Sequence, residues 1–448
     1  MSFIRSISGL RATLGDDLTP SLVADYALGF AAILPPGPIV LGRDGRPSGL
    51  WIEHVVVGAL RAAGRTVRVL GMATTPTVQL MTEHSDAVGG IAITASHNPA
   101  PWNGLKFLDE GGVFLDATAN SKLWSAVDQR SFPLSADQQS GNLELVDDAA
   151  ELHIDRVLDL DAVRSAPKAN GERVVVDAVN CSGSFIVPAL LEALGYTVIR
   201  LFADGSGVFP HVPEPISENL TQLGDAVREH AAAFGVAVDP DADRLVLFDE
   251  TGTPIGEERT ITLATEAVMA LGTRGDVVVN YSTTRAVDDI AVEHGYVTHR
   301  AAVGEINVVR MMQRVNAVIG GEGSGGVIYP ACHAGRDSIV GLGLISALLR
   351  HRNTTLGQAC AKLPQYEMVK TKIDLPQGFD LESLRLSVVT SFSDATLSTD
   401  DGVHAAWPDR WVHVRASNTE PIMRIIAEAP SRDEANELVS RVRSLING

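Results

Sequence analysis

Cysteine and long apolar runs are both scarce in this sequence. Its 448 residues include three cysteines, Cys181, Cys332 and Cys360, which are too few and too far apart for a disulfide framework or a cysteine zinc site. No apolar stretch approaches the roughly 18 residues that a membrane-spanning helix needs. The first residues carry no apolar segment of the secretory kind. We therefore expect a cytoplasmic protein in a reducing compartment, with no membrane partner.

Basic charge is also in short supply. The chain carries 36 Lys and Arg residues against 55 Asp and Glu residues, a formal net charge of −19 at pH 7. Nucleic-acid-binding proteins usually present a basic surface, so we expect no nucleic-acid partner. An anionic small molecule is not excluded, because a local cluster of arginines can bind it in spite of the net charge. Hydrophobic residues make up 45% of the chain, which is typical of a globular protein.

Strand and helix patterns alternate along most of the chain, in three units that begin about 100 residues apart. Continuous apolar runs such as "GPIVLGRD", "ERVVVDAVN" and "RGDVVVNYS" predict buried parallel strands, and amphipathic stretches between them predict covering helices. The last segment has the pattern of antiparallel strands followed by a helix. We therefore predict three α/β domains, at residues 1–150, 151–256 and 257–366, and a smaller α+β domain at 367–448.

The segment "VAVDPDADRLVLFDE" (236–250) places Asp239, Asp241 and Asp243 at alternating positions, with Arg244 next. Three carboxylates this close repel one another unless a cation or an arginine offsets them, and an all-oxygen ligand set suits Mg²⁺ or Ca²⁺. Alternating residues share one side of a straight strand. An EF-hand is excluded because Arg244 stands where that loop needs glycine. We favour a metal site at the carboxyl end of a strand over a polar turn.

Two further polar loops follow predicted strands. The segment "VRASNTEPIMRI" (414–425) offers donors that suit a phosphate dianion: Arg415, Ser417, Asn418, Thr419 and Arg424. The segment "GGEGSGG" (320–326) is no P-loop and no dinucleotide fingerprint, but its glycines allow a ligand to approach the backbone. Glu322 and Ser324 are then its polar contacts, and a carboxylate suits sugar hydroxyls or an ammonium group. A plain turn is the alternative for each loop.

The segment "GGIAITASHNPAPWNGLKF" (89–107) is an apolar strand pattern that ends at Ser96 and His97. These two residues can be a nucleophile with its base, or a turn with a helix cap. The first interpretation is disfavoured because neighbours along a strand point to opposite faces. The pair Asn98–Pro99 ends the strand, so we expect Ser96 to be presented at the strand tip.

Taken in order, "TASHNP", "DPDADR", "GEGSGG" and "RASNTEP" resemble the four motifs of the α-D-phosphohexomutase family, and the resemblance covers the whole chain. It implies an α/β fold with three similar mixed-sheet α/β domains and a smaller C-terminal α+β domain around a central cleft. It also implies an enzyme that interconverts hexose 6-phosphate and hexose 1-phosphate through a phosphoserine and a hexose 1,6-bisphosphate. Mg²⁺ is the implied cofactor, and we expect a monomer or a homodimer.

The resemblance also implies roles for single residues. Ser96 matches the serine that carries the phosphoryl group and, once phosphorylated, contributes a metal ligand. The family's Mg²⁺ ligands match Asp239, Asp241 and Asp243, and its sugar-contacting loop matches Glu322 and Ser324. The loop that holds the second phosphate matches Arg415, Ser417, Asn418 and Thr419. Further active-site residues of the family match Arg11, Lys106, Arg244 and His97.

Several positions depart from the commonest bacterial patterns of that family. Gly323 stands where Gln or Met is frequent, Gly326 where His is common, and "HAGRDS" (333–338) replaces a Gly-Asp-Gly turn. With "SGLR" and "GEGSGGVIYP" they resemble the phosphoglucosamine mutase-like branch, so we expect glucosamine 6-phosphate as substrate. Phosphomannomutase or phosphoglucomutase activity is the alternative; a sugar-phosphate phosphatase and a non-catalytic sugar-phosphate-binding protein are weaker ones. The departures leave the roles of Gly326, His333 and Arg336 open.

Overall fold

The computed structural model describes residues 4–7, 9–132, 134–135, 139–375, 380–416 and 422–447. In these residues the strands form four sheets that follow one another along the chain. The first three sheets contain both parallel and antiparallel neighbours, and the fourth is antiparallel. The predicted architecture of three mixed-sheet α/β units and a smaller α+β unit is therefore confirmed. None of the described helices has the length and apolarity that crossing a membrane requires.

The first sheet has the strand order β1-β2-β6-β5-β3-β4-β7. Its strands are β1 (Ile4–Ser6), β2 (Gly9–Thr13), β3 (Ile39–Arg43), β4 (Val67–Met72), β5 (Gly89–Ile93), β6 (Trp102–Leu108) and β7 (Leu143–Leu145). Its helices are α1 (Pro20–Ile33), α2 (Gly49–Ala62), α3 (Thr75–Glu83) and α4 (Ala117–Asp128). Strand β3 reads as a continuous apolar run because both of its faces are covered. Ile39 and Leu41 belong to the apolar core that includes residues of α1, α2 and α4, and Val40 belongs to the core that includes α3.

The second sheet has the order β11-β10-β8-β9. Its strands are β8 (Arg173–Asp177), β9 (Thr197–Phe202), β10 (Phe234–Val238) and β11 (Leu245–Phe248). The associated helices are α5 (Ala149–Leu158), α6 (Asp161–Arg164), α7 (Gly183–Ala193) and α8 (Thr221–Glu229), with a 3₁₀ turn at Ser217–Asn219. Strands β10 and β11 are antiparallel, and the loop that connects them, residues 239–244, is the acidic loop with Asp239, Asp241 and Asp243.

The third sheet has the order β13-β12-β14-β15-β16. Its strands are β12 (Val277–Asn280), β13 (Thr298–Ala301), β14 (Ile319–Glu322), β15 (Gly326–Tyr329) and β16 (His333–Arg336). Its helices are α9 (Glu258–Ala270), α10 (Ala286–Glu293), α11 (Glu305–Val315), α12 (Ser338–Arg352) and α13 (Leu356–Ala361). One apolar core joins this unit to the second, and another joins it to the first. The loops of the first three units are thereby held in fixed relation.

The fourth sheet has the order β17-β21-β20-β19-β18 and a core of its own. Its strands are β17 (Glu367–Asp374), β18 (Thr396–Ser398), β19 (Val403–Ala406), β20 (Trp411–Ala416) and β21 (Ile422–Ala429). Its helices are α14 (Leu381–Ser391) and α15 (Arg432–Asn447). Helix α15 buries Ala435, Leu438, Val439 and Val442, which lie on one face at helical spacing.

The three limits between domains that were derived from the sequence stay predictions. Helix α5 begins at Ala149, next to the predicted limit after residue 150, and β17 begins at Glu367, where the fourth domain is predicted to start. The segment between β11 and α9 contains the limit predicted after residue 256.

Candidate active site

A cavity of about 910 Å³ lies where the four units meet, and side chains from all four line it. The predicted site residues on its wall are Arg11, His97, Arg244, Glu322, Ser324, Arg415 and Arg424. Ser96, Lys106 and the three aspartates of the acidic loop are buried in contact with one another. The fold thus brings together residues more than 400 positions apart in the chain, since Arg11 and Arg424 both line this cavity.

Ser96 lies just beyond β5, which ends at Ile93. Its backbone has φ +50°, a left-handed conformation that costs a non-glycine residue roughly 1–2 kcal/mol. The Oγ donates a hydrogen bond of 2.9 Å to Asp239 Oδ2, and the backbone N–H donates one of 2.8 Å to Thr94 Oγ1. The turn therefore aims the hydroxyl at the acidic loop of the second unit.

A buried ion pair holds this turn in place. The Asp44 carboxylate accepts from Arg46 Nε at 3.1 Å and from Thr94 Oγ1 at 2.7 Å. The Arg46 guanidinium also donates to four backbone carbonyls of the serine loop, at 2.6–2.9 Å, those of residues 96, 98, 99 and 102. Sequence reasoning missed both residues. The signal was an Arg-Asp-Gly-Arg run directly after an apolar strand, since charges there need a buried partner.

The expected separation of Ser96 and His97 is wrong. It assumed a regular strand, but the left-handed turn at Ser96 rotates the two side chains onto the same side. Ser96 Oγ lies 3.4 Å from His97 Nδ1. Arg244, burial and Arg11 together hold the pKa of His97 well below its ordinary value. The imidazole is therefore neutral near pH 7.

The three aspartates converge by a different route from the one predicted. Strand β10 ends at Val238, so they lie on a turn and not along a straight strand. Ala242 has φ +53° within that turn. Asp239 Oδ1 accepts the backbone N–H groups of Asp243 at 3.1 Å and Arg244 at 3.2 Å. The turn brings one oxygen of each carboxylate within 4.8 Å of the others.

Cations from two other units surround the acidic loop. Lys106 Nζ lies 2.6 Å from Asp241 Oδ2 and 3.3 Å from Asp243 Oδ2, and Arg336 donates to Asp243 Oδ2 at 2.6 Å. Burial raises the pKa of Asp239 well above its ordinary value, and Asp243 and Asp241 add to this effect. Burial acts in the same direction on Asp243, but Arg336, Lys106 and Arg244 outweigh it and lower the pKa of that carboxyl.

The loop fits a hard divalent cation. Asp241 Oδ1 and Asp243 Oδ1 are buried and have no hydrogen-bond partner among the described residues. An unpaired buried carboxylate oxygen is costly, whereas Mg²⁺ takes oxygen ligands of this kind. Asp239 Oδ2, in contact with Ser96 Oγ, completes a set of oxygen donors beside the serine.

Glu322 and Gly323 form the corner of the glycine loop that faces the cavity. Glu322 Oε1 accepts from Asn280 Nδ2 at 2.8 Å and from the Gly304 N–H at 2.9 Å, so the carboxylate has a fixed orientation. The Gly323 N–H donates to Thr283 Oγ1 at 3.0 Å. A Cβ at Gly323 would lie 2.0 Å from a carboxylate oxygen of Glu258, which explains the absence of a longer side chain there.

The structure also gives contacts for the three residues whose roles the sequence left open. Arg336 on β16 passes directly over Gly326 on β15 and reaches the acidic loop. His333 Nε2 lies 3.0 Å from Asp337 Oδ2, and His153 Nε2 lies 2.8 Å from the same oxygen. The other oxygen of Asp337 accepts the first N–H groups of α12. The two histidines and Asp337 thus form a buried hydrogen-bonded junction between the second and third units.

In the fourth unit, Arg415 on β20 and Arg424 on β21 are direct cross-strand neighbours. Arg415 Nε donates to Asp401 Oδ1 at 3.1 Å. Two like charges opposite each other are unfavourable in a sheet, and a phosphate dianion in the cavity would offset them. Ser417, Asn418 and Thr419, the other predicted members of this site, lie outside the described residues.

Comparison with known proteins adds the family. Models of the phosphoglucomutase/phosphomannomutase alpha/beta/alpha domains I, II and III match residues 4–133, 151–252 and 257–366, and the model of the C-terminal domain matches residues 397–445. The chain belongs to the phosphoglucomutase/phosphomannomutase family. The predicted resemblance to the phosphohexomutases is therefore confirmed, and with it the assignment to that class of enzyme.

Relatives in this family match over nearly the whole chain. A phosphoglucomutase/phosphomannomutase of Thermococcus kodakarensis is 33% identical, over 96% of this chain and 95% of the relative. A protein named probable phosphoglucosamine mutase, from Methanopyrus kandleri, is 34% identical with the same coverage of both chains. A solved phosphoglucomutase/phosphomannomutase family protein from Burkholderia thailandensis superposes with a TM-score of 0.87 at 24% identity, covering 99% of this chain and 97% of that one. The last similarity supports the fold.

Proposed function

We propose that this phosphohexomutase moves a phosphoryl group between the 6-oxygen and the 1-oxygen of a hexose phosphate, with Ser96 as the carrier. The observation that carries the proposal is the 2.9 Å contact of Ser96 Oγ with Asp239, next to two buried carboxylate oxygens that have no hydrogen-bond partner among the described residues. A serine in a strained turn beside a cation site is suited to hold a phosphoryl group.

Each half-reaction conserves the phosphoryl group. As the bond between phosphorus and Ser96 Oγ breaks, a bond between phosphorus and a sugar oxygen forms, and the hydroxyl proton passes from the sugar to the serine side. A sugar bisphosphate results, and its other phosphoryl group returns to Ser96. Arg244 and Arg11 are cationic neighbours of His97 at this point, and we assign them to the phosphoryl oxygens. Mg²⁺, when bound by the three aspartates, would neutralise charge on the transferring group.

His97, the neighbour of Ser96, lines the cavity from the first unit, and the arginines of the fourth unit line it as well. We propose that Arg415 and Arg424 hold the phosphate that is not reacting, together with Ser417, Asn418 and Thr419. Because the 1- and 6-phosphates exchange places between half-reactions, this subsite has to accept both. A pair of guanidinium groups suits that task because each can bind phosphate oxygens in more than one geometry.

Glucosamine 6-phosphate is the substrate we propose, with glucose and mannose 6-phosphates as the alternatives. The name of the Methanopyrus relative supports glucosamine, while that of the Thermococcus relative supports the alternatives. Glu322, fixed on the cavity wall, and Ser324 are the proposed sugar contacts. A carboxylate there can accept from a hydroxyl or an ammonium group.

Coupled assays on glucosamine, glucose and mannose 6-phosphates test this proposal. Turnover of glucosamine 6-phosphate with the highest kcat/KM is expected, and preference for mannose 6-phosphate would contradict the substrate choice. The Ser96→Ala variant should lose mutase activity, and the exposed Ser21→Ala variant should keep it. Intact mass spectrometry should find a species heavier by one phosphoryl group in the wild type and in Ser21→Ala, but not in Ser96→Ala.

The 3.4 Å distance between Ser96 Oγ and His97 Nδ1 favours one further candidate, a sugar-phosphate phosphatase with Ser96 as nucleophile. Release of inorganic phosphate without formation of hexose 1-phosphate would support it.

Two further proposals concern the cellular compartment and the oligomeric state. The three cysteines are free and buried, which supports a reducing compartment such as the cytoplasm, and a monomer or homodimer remains our expectation for the assembly.

A further inference from the structure

Arg336 connects three carboxylates that belong to different elements. Its Nε donates to Glu305 Oε2 at 3.1 Å, one terminal nitrogen donates to Glu322 Oε2 at 2.5 Å and the other to Asp243 Oδ2 at 2.6 Å. All four side chains are nearly buried, since Arg336 is 12% exposed and the carboxylates less. Only a planar guanidinium has donors in three directions that match such an arrangement.

The Arg336 side chain can follow this path only because Gly326 has no side chain. In the strand order β14-β15-β16, Gly326 on β15 is the direct partner of Glu322 on β14. Arg336 starts from β16 and crosses β15 to reach Glu322. A Cβ built on Gly326 would lie 2.3 Å from Arg336 Cδ and 3.0 Å from its Cγ. Any side chain at position 326 therefore occupies the space that the arginine needs.

We propose that Gly326 and Arg336 act as a pair that fixes the metal-loop carboxylate of Asp243 relative to the sugar-facing carboxylate of Glu322. Arg336 is then a positioning residue, and Gly326 provides the gap that admits it. The inference rests on the proposed function, in which Asp243 binds the cation and Glu322 contacts the sugar. It accounts for two of the positions that depart from the common patterns, Gly326 and Arg336, because the glycine and the arginine are required together.

A double-mutant cycle tests the pair. Gly326→Ala, Arg336→Ala and the double variant are compared with Gly58→Ala, an exposed helical position where a Cβ meets no atom within 4 Å. Binding of Mn²⁺, used as the metal probe and followed by electron paramagnetic resonance without sugar, is measured beside KM and kcat for the hexose phosphate.

Each single variant should weaken Mn²⁺ binding and raise KM by about 10–100-fold, the usual effect of removing a residue that orients a metal ligand. The double variant should be no worse than Arg336→Ala, because without the arginine the gap has no occupant. Gly58→Ala should match the wild type. Wild-type Mn²⁺ affinity and KM in Gly326→Ala, or multiplying effects in the double variant, would overturn the pairing.

Arg336→Lys separates positioning from charge and serves as the second variant if Arg336→Ala does not fold. An ammonium cannot donate to three carboxylates in the same directions, so Mn²⁺ binding and KM should remain impaired at a melting temperature near that of the wild type. Full recovery of both in Arg336→Lys would overturn the positioning role. If the wild type turns over none of the three hexose phosphates, the proposed function fails, while the Mn²⁺ measurements still decide whether the pair exists.

Discussion

The buried pair of Asp44 and Arg46 supports the most quantitative prediction, which concerns the variant Arg46→Met. Both side chains are at most 1% exposed, and the guanidinium is bonded to four carbonyls of the serine loop. Methionine fills much of the volume but leaves a buried carboxylate without its partner. Breaking a buried pair in this way costs about 3–5 kcal/mol. We expect a loss of that size in the stability of the first unit.

The activity of Arg46→Met should fall as well. Ser96 keeps its left-handed turn only while its surroundings enforce it, and a displacement of about 1 Å in a reacting group can cost about 100-fold in rate. Urea unfolding followed by circular dichroism gives the stability, and the coupled assay gives kcat. The matched control is Arg68→Met, which removes a surface pair with Asp86 and Glu144 and should cost less than about 1 kcal/mol.

A second substitution shows whether the unpaired charge causes the loss. In Asp44→Asn combined with Arg46→Met the buried charge is gone, so the double variant should be more stable than Arg46→Met alone. A urea midpoint and a kcat for Arg46→Met that both equal the wild-type values would refute the reasoning, because the network would then neither stabilise the loop nor position the serine.

Three further predictions follow from the walls of the cavity. The pKa of His97 is lowered, chiefly by Arg244, so on acidification the unfolded chain takes up a proton near pH 6.5 before the folded chain does. The stability of the wild type should therefore fall as pH drops below about 6.5. The urea midpoint of His97→Asn should fall less than that of the wild type over the same pH range. Gly323→Ala should displace Glu258, given the 2.0 Å contact, and raise KM for the sugar phosphate in steady-state assays; an unchanged KM would contradict this. Arg424→Ala should raise KM about 10-fold or more, the range for a lost bond to a charged group, without lowering the melting temperature.

Apolar runs were sufficient to predict most of the strands that carry the site. Strands β3, β8 and β12 are buried on both faces, and such strands appear in sequence as continuous apolar stretches. The serine and aspartate motifs lie at the ends of two other strands, as predicted, since Ser96 lies beyond β5 and Asp239 beyond β10.

Local backbone geometry and distant partners were not predictable in the same way. The left-handed turns lie at Ser96 and Ala242 and not at glycines, the residues that usually adopt this conformation. The sequence therefore shows no sign of them, and the assumption of regular strands failed at both places. Thr75 donates to Asp241 Oδ2 at 2.6 Å from 166 positions away, and Arg46 binds backbone carbonyls, which leave no pattern in a sequence. Such contacts depend on how the units pack against one another.

The cationic contacts of the acidic loop come from parts of the chain that are synthesised at very different times. Lys106 precedes it by more than 130 positions, whereas Arg336 follows Asp243 by 93. Units fold in order as the chain emerges, so the three aspartates first meet the lysine and lack the arginine until the third unit has been made. Until then Lys106 and the loop's own Arg244 are its cationic neighbours, and enclosing three carboxylates without Arg336 is unfavourable. We infer that this loop stays hydrated during synthesis and becomes buried only when the third unit docks, so that the metal site is among the last parts of the enzyme to mature.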